Sequence, residues 1–155
     1  MGRIKNFKEI RLDGKIIDES MSIDDLIKLG WTPEKIVEIQ WHSNGDAVSI
    51  CDTYGLLAIV VPSKDSVAVI KHNSNINPEK NLLILNSDGA IKFTLSNTQK
   101  IKNNDEVGKF AWFEPARIKS PHLFGVIFEI IDKNQMFQFD VDSNTGEIAA
   151  TYPLQ

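Results

Sequence analysis

The feature that most constrains this chain is a period-two alternation of apolar residues, cut by turn residues at hairpin spacing, that runs from Val37 to the C-terminus. Alternation at this period sends successive side chains to opposite faces, which suits a half-buried strand and does not suit an amphipathic helix. Val37, Ile39 and Trp41 lead into Asn44-Gly45, a dipeptide that supplies the positive φ angles of a type I′ turn, and Val48 and Ile50 resume the pattern. Leu56 to Val61 is apolar on both faces and precedes Pro62-Ser63-Lys64-Asp65, Val67 and Val69, which predicts a second hairpin with a buried first strand. Leu82 to Leu85 is expected to meet Ile91, Phe93 and Leu95 across Asn86-Ser87-Asp88-Gly89, with Lys92 and Thr94 on the outer face. Phe124, Val126, Phe128 and Ile130 precede a turn at Asp132-Lys133-Asn134. Phe137, Phe139 and Val141 follow, and Asp142 to Gly146 turns into Ile148, Ala150 and Tyr152, so the C-terminal third reads as a meander.

Helix signals are confined to the N-terminal region. Ser22 and Asp25 form a capping box before Ile23, Leu26 and Ile27, and Gly30 suits the stop, which predicts one short helix over Ile23 to Leu29. Thr32-Pro33-Glu34-Lys35 reads as a turn into the first alternating strand. The Asn-, Ser-, Thr- and Lys-rich stretches at 72–80 and 96–108 read as loops. Parallel strands need crossovers of a dozen or more residues, which these short connections do not provide. The expected fold is therefore mainly β, α+β with one short N-terminal helix, its antiparallel hairpins forming a curved sheet, a sandwich or a partly open barrel. With 155 residues, no repeat and no linker-like tract, a single globular domain is expected.

Composition bounds the function. The one cysteine, Cys51, excludes an internal disulfide, and its apolar setting (Val48-Ser49-Ile50-Cys51) reads as a core position in a reducing compartment, so a cytoplasmic location is expected. The longest apolar run, Leu56 to Val61, is too short to span a bilayer, and no membrane role is expected. Seventeen basic residues against twenty-one acidic give a net charge of -4, which disfavours direct nucleic-acid binding and suits a basic partner.

Catalytic signatures are missing. No Walker loop, GxGxxG, GxSxG or HExxH stretch occurs, and His42, His72 and His122 each lack a second His or Cys at metal-ligand spacing, so neither a metal nor a cofactor is expected. Asp140-Val-Asp142-Ser-Asn144-Thr-Gly146-Glu147 places oxygens at alternate positions like a calcium loop. Its glycine comes one position late, however, and Thr151 stands where a bidentate glutamate belongs, so the stretch reads as a strand end and hairpin turn. In Phe110-Ala111-Trp112-Phe113-Glu114-Pro115, alternation puts Phe110 and Trp112 on one face and Phe113 on the other. The rings read either as the core of a two-sided sheet or as an aromatic anchor beside acids. Residues 31–60 carry one Lys against four acids, and residues 106–155 carry four Lys or Arg against seven acids.

The hairpin strings Asn81-Leu-Leu-Ile-Leu-Asn86-Ser-Asp88-Gly89-Ala-Ile-Lys-Phe-Thr-Leu95 and Phe137-Gln-Phe-Asp140-Val-Asp142-Ser-Asn-Thr-Gly146-Glu-Ile148 resemble those of small bacterial immunity proteins of polymorphic or contact-dependent toxin systems. The resemblance covers the C-terminal half. It implies a cytoplasmic protein that binds a cognate toxin domain, such as a nuclease, and blocks its active site without catalysis of its own. On that reading the partner-binding candidates are Trp112, Glu114, Asp132, Asp140, Asp142 and Glu147. Two rival readings stand beside it. One is a β-barrel that encloses a small apolar ligand among its Phe residues; the other is an enzyme whose site assembles only in the fold, around His42 or His72 with a carboxylate.

Overall fold

The structure, a computed structural model, describes residues 2–29, 35–72 and 81–154. The expected stop at Gly30, the turn residues Thr32, Pro33 and Glu34, and the loop at 73–80 lie outside the described residues. The order is β1 (Lys5–Arg11), β2 (Ile16–Asp18), α1 (Ile23–Leu29), β3 (Ile36–Ser43), β4 (Asp46–Val60), β5 (Ser66–Lys71), β6 (Leu82–Asn86) and β7 (Ile91–Leu95), then β8 (Thr98–Ile101), β9 (Asn104–Glu114), β10 (Leu123–Ile130), a 3-10 turn (Ile131–Lys133), β11 (Gln135–Asp142) and β12 (Ile148–Leu154). Two antiparallel sheets result, ordered β2-β1-β3-β4-β5-β6-β7 and β12-β11-β10-β9-β8. The mainly β, antiparallel class expected from the sequence holds, and the first sheet is a curled half-barrel.

The turns form where the chain supplies positive φ. Asn44 (φ 54°) and Gly45 (φ 81°) close β3 onto β4, with Ser43 opposite Asp46. Lys64 (φ 64°) closes β4 onto β5, and Asn134 (φ 51°) ends the 3-10 turn between β10 and β11. The helix is capped as its sequence predicts: the Asp25 amide donates to Ser22 Oγ, and the Ser22 amide donates to Asp25 Oδ2, both at 3.1 Å.

Burial follows the curl. One face of β5 and β6 (Ala68, Ile70, Leu82, Ile84) packs with Phe110, Phe124, Phe128 and Phe139 of the second sheet. The opposite face (Val67, Val69, Leu83, Leu85) packs with Ile4, Phe7, Ile39 and Trp41 from the N-terminal half of its own sheet. Strands buried on both faces read as continuous apolar runs, as these do. Phe128 lies 5.2 Å from Phe110 and 5.1 Å from Phe139 between ring centroids. Each such pair contributes about 0.5–1.5 kcal/mol beyond burial itself.

Several expectations are corrected. Val48 and Ile50 pack against the Trp41 cluster, so alternation turns Cys51 outward, and the cysteine is exposed instead of core. Residues 48–60 belong to one strand, interrupted at Gly55 (φ 103°), and not to two. In the β4–β5 hairpin the second strand is the more deeply buried, because β5 is covered on both faces. The stretch 96–108 is mostly strand: Lys102 (φ 52°) and Asn103 (φ 68°) form a two-residue turn that pairs Ile101 with Asn104. The N-terminal hairpin of β1 and β2, an unexpected element, turns at Asp13-Gly14, where Gly14 takes φ 85° and the Arg11 amide donates to Lys15 O at 2.9 Å. Ile91 is exposed because the pairing shifts between Ile84 and Leu85.

Candidate protein-binding face

The outer face of the second sheet carries the candidate site, and two single-residue bulges create it. Across β9 and β10, Phe128 pairs with Phe110 while Ile127 pairs with Trp112, which leaves Ala111 as an extra residue. Across β11 and β12, Asp140 pairs with Ala150 while Val141 pairs with Ile148, which leaves Ala149 extra. A bulge residue reverses the facing of everything beyond it. Phe110 and Phe113 therefore both pack in the inter-sheet core, and Trp112 turns outward, 38% exposed. This corrects the expectation that Phe110 and Trp112 share a face. The second bulge likewise separates Tyr152, on the outer face, from Ile148, which packs on the core.

Trp112, Ile127, Gln138 and Tyr152 thus form one cross-strand row, and Glu114, Gly125, Asp140 and Ala150 the next. Ile127 and Gln138 are buried between the two outward rings. The segment after β9 crosses this face and is pinned to it. Pro115 O accepts from Gln138 Nε2 at 3.0 Å, and the Asp140 carboxylate accepts from the amides of Arg117 (3.2 and 3.1 Å) and Ile118 (2.9 Å). Tyr152 OH donates to the same carboxylate at 3.2 Å, and the Arg117 guanidinium lies 4.5 Å from the centre of the Tyr152 ring. Desolvation first, and then the Asp140 carboxylate, push the Tyr152 hydroxyl pKa above its ordinary value, which keeps the hydroxyl a donor. Gly125 makes room beneath: a Cβ there would lie 2.5 Å from Glu114 O and 2.9 Å from Pro115 O. Trp112 is itself oriented, its Nε1 donating to Glu114 Oε1 at 3.0 Å.

The face presents Trp112, Arg117, Ile118 and Tyr152 on a rigid, hydrogen-bonded backing. Trp, Tyr and Arg are the residue types that dominate binding energy at protein interfaces, and a pre-organised backing lowers the entropic cost of using them. Of the residues singled out from sequence, Trp112 and Glu114 lie here. Asp142 and Glu147 flank the β11–β12 turn at the same end of the sheet, where the Asn144 amide donates to Asp142 Oδ1 at 2.8 Å. Asp132 does not join them: it sits at the opposite end of the eight-residue β10, about 25 Å away. Asp140 is fully buried and is consumed in holding the loop, so it underlies the face without being exposed on it. Toward that opposite end two further acids are engaged, Glu106 with Lys133 (2.6 Å) and Glu129 with Lys109 (3.6 Å). Arg117, Ile118 and Tyr152 were missed, because only the loop crossing and the Ala149 bulge bring them to this face.

The sites of the rival readings look different. His72 is partly exposed in an open cleft of about 470 Å³ beside Lys71, Asn81 and Lys109. Burial pushes its pKa down; Asp52 raises it and Lys109 lowers it. His42 is exposed on β3, 3.5 Å from Asn6 Nδ2. The phenylalanines expected on the barrel reading to line a ligand cavity interlock between the sheets instead. Among the described residues, no group of three His, Cys, Asp or Glu is placed to hold a metal ion, and no helix is long and apolar enough to cross a membrane.

Two open antiparallel layers with an outward Trp–Arg–Tyr face make a β protein whose exposed groups are of the kind used in protein contacts. The particular kinship comes from a solved structure, that of Tne2 in complex with Tni2. The Tni2 chain aligns with 98% of this chain and 99% of its own length, at 32% identity and a TM-score of 0.87. The chain belongs to the Tni2 family. This likeness supports the resemblance to immunity proteins and extends it from the C-terminal half to nearly the whole chain. No family model matches the chain, and no curated protein does.

Proposed function

We propose that this chain is a bacterial, cytoplasmic immunity protein that binds a cognate toxin domain and blocks its active site. The observation that carries the proposal is the end-to-end likeness to Tni2, a protein solved in complex with its partner Tne2. In this reading Trp112, Arg117, Ile118 and Tyr152 form the contact centre, with Glu114, Asp142 and Glu147 around it. Buried aromatic and Arg anchors ringed by polar groups are the usual anatomy of a stable protein interface. The net charge of -4 suits a partner whose site is basic, because complementary potentials raise the rate of encounter and disfavour wrong partners.

Co-production with the protein encoded beside it tests the reading. Relief of that protein's toxicity together with recovery of a stoichiometric complex is the expected result. A toxic neighbour that is neither bound nor relieved would overturn it.

A further inference from the structure

A cleft of about 300 Å³ lies between the two sheets, beside the Trp112 face. Ile59 and Pro62 of the β4–β5 hairpin form one wall, Phe113 and Phe124 of the second sheet form the other, and Ala116 lies at the rim. Both walls are held in place. The Ser63 amide donates to Pro121 O at 2.7 Å, which ties that hairpin to the loop before β10, and Gln138 Nε2 donates to Pro115 O at 3.0 Å. Phe113 packs edge-on against Phe124, ring centroids 5.9 Å apart, and Pro62 and Pro115 fix their own φ. The cleft is therefore formed in the free protein, and filling it costs little ordering. Among the described residues that line it, Glu114 is the only charged one, and its Oε1 already accepts from Trp112 Nε1.

Lining and position define the occupant. A charged group would be desolvated against these walls with one carboxylate to meet it, whereas an apolar side chain buries its surface at no such cost. The volume stands at the low end for small-molecule sites, which enclose their ligands, and this cleft is open. Glu114 is two strand residues from Trp112, about 7 Å along β9. An interface of standard size covers about 800 Å² per partner, a patch roughly 16 Å in radius. A protein seated on Trp112 therefore covers the cleft as well. If the cleft stayed unfilled beneath it, the walls would forfeit their dispersion contacts, and pockets of this kind are where interface anchors sit.

We propose that the partner protein inserts one apolar side chain, aromatic or leucine-sized, into this cleft, which thereby selects the partner alongside the Trp112 contact. The partner's identity rests on the immunity reading, whereas the apolar character of the occupant does not. Toluene and n-butylammonium, titrated separately into methyl-labelled full-length protein, test that character. Toluene is expected to shift the Ile59 and Leu123 methyls, n-butylammonium to leave them in place, and Ala116→Phe to abolish the toluene shifts by filling the rim. In the complex with the protein encoded beside it, the same two methyls should give cross-peaks to an apolar side chain of the partner. Ala116→Phe should weaken that complex at least about tenfold. The wild-type cross-peaks decide the matter even where the variant fails to fold. Equal response to the two probes, no toluene shift, cross-peaks to a charged side chain, or a dimer of the isolated chain that Ala116→Phe breaks would each overturn the proposal. A complex that forms without contacts to the cleft methyls sinks the proposal and leaves the immunity reading standing. If the neighbour does not bind at all, the immunity reading falls, the proposed occupant falls with it, and a toluene shift then marks a small-molecule cleft.

Discussion

The Asp140 carboxylate, fully buried in the second sheet, accepts the Arg117 amide through both of its oxygens, at 3.2 and 3.1 Å. This contact joins strand β11 to the loop that crosses the outer face, and it fixes where Arg117 and Ile118 emerge. Asp140→Asn places an NH2 donor where two amides already donate. The expected cost is about 2–4 kcal/mol, since a buried acceptor is lost and donors are left unpaired. Urea unfolding reads the stability loss, and faster hydrogen exchange at the Arg117 and Ile118 amides locates it; unchanged protection there would refute the role given to Asp140.

Gly125 is expected to resist even the smallest side chain. Its Cβ would meet two backbone carbonyl oxygens and Gln138 Nε2 (2.7 Å), and backbone cannot swing aside as a flexible side chain can. Gly125→Ala should therefore cost about 1–3 kcal/mol and displace the 115–118 loop. A thermal unfolding midpoint equal to wild type would show that the loop does not seat as described.

On the outer face, stability and binding should separate. Arg117→Ala removes an exposed side chain and its contact with the Tyr152 ring and is expected to cost no more than about 1 kcal/mol of folding stability. Trp112→Ala, which removes a ring only 38% exposed, is expected to cost about 1–3 kcal/mol and leave the protein folded. Each should weaken the complex with the proposed protein partner by about 2 kcal/mol or more, read by calorimetry. Loss of folding without loss of affinity would move the contact surface elsewhere.

Glu9 faces the same side as core residue Ile39, its cross-strand partner, and burial raises its pKa above the ordinary 4.5. Between 4.5 and the raised value the folded state holds the proton more tightly, so this group's contribution to stability falls as pH rises through that window. Above it, the ionised carboxylate is a standing cost. Glu9→Gln should therefore be more stable than wild type at neutral pH, with the difference vanishing below pH 4.5. Paired denaturant titrations at the two pH values measure it, and a difference independent of pH would rule the mechanism out.

Ala111 is the residue that pairing leaves over. Deleting it should keep Phe110 and Phe113 inward and Trp112 outward, because the remaining residues already match β10 in register. Deleting Phe113 instead should carry Glu114 to the core face and unfold the second sheet. Circular dichroism and tryptophan fluorescence of the two deletions distinguish these outcomes.

Much of the fold was legible in the chain. Asn44-Gly45, Asn86 to Gly89 and Asp132 to Asn134 specify turns through local φ preference, and alternation around them specifies strands, both being short-range properties. What misled was the assumption that alternation continues through a strand. Phe110 to Glu114 and Ile148 to Tyr152 alternate in sequence, and each is broken by a bulge at an alanine, a residue that carries no turn signal. The N-terminal hairpin was not expected although Asp13-Gly14 marks its turn, because Lys5 to Arg11 and Ile16 to Asp18 are mixed in polarity. Strand β8 was missed for the same mixture of polarity and is held in place by β9.

The sequence by itself determined the antiparallel class, most hairpin turns and the capped helix, because backbone preference and side-chain period act over a few residues. Only the tertiary structure decided that Trp112 and Tyr152 look outward from the same sheet face, that Asp140 is an internal clamp for Arg117, and that Ile23 and Ile27 of α1 are exposed. Facing depends on which residue pairs with which across strands, and pairing is set by the competition of whole sheets to bury their apolar rows, a balance that no local stretch of the chain contains.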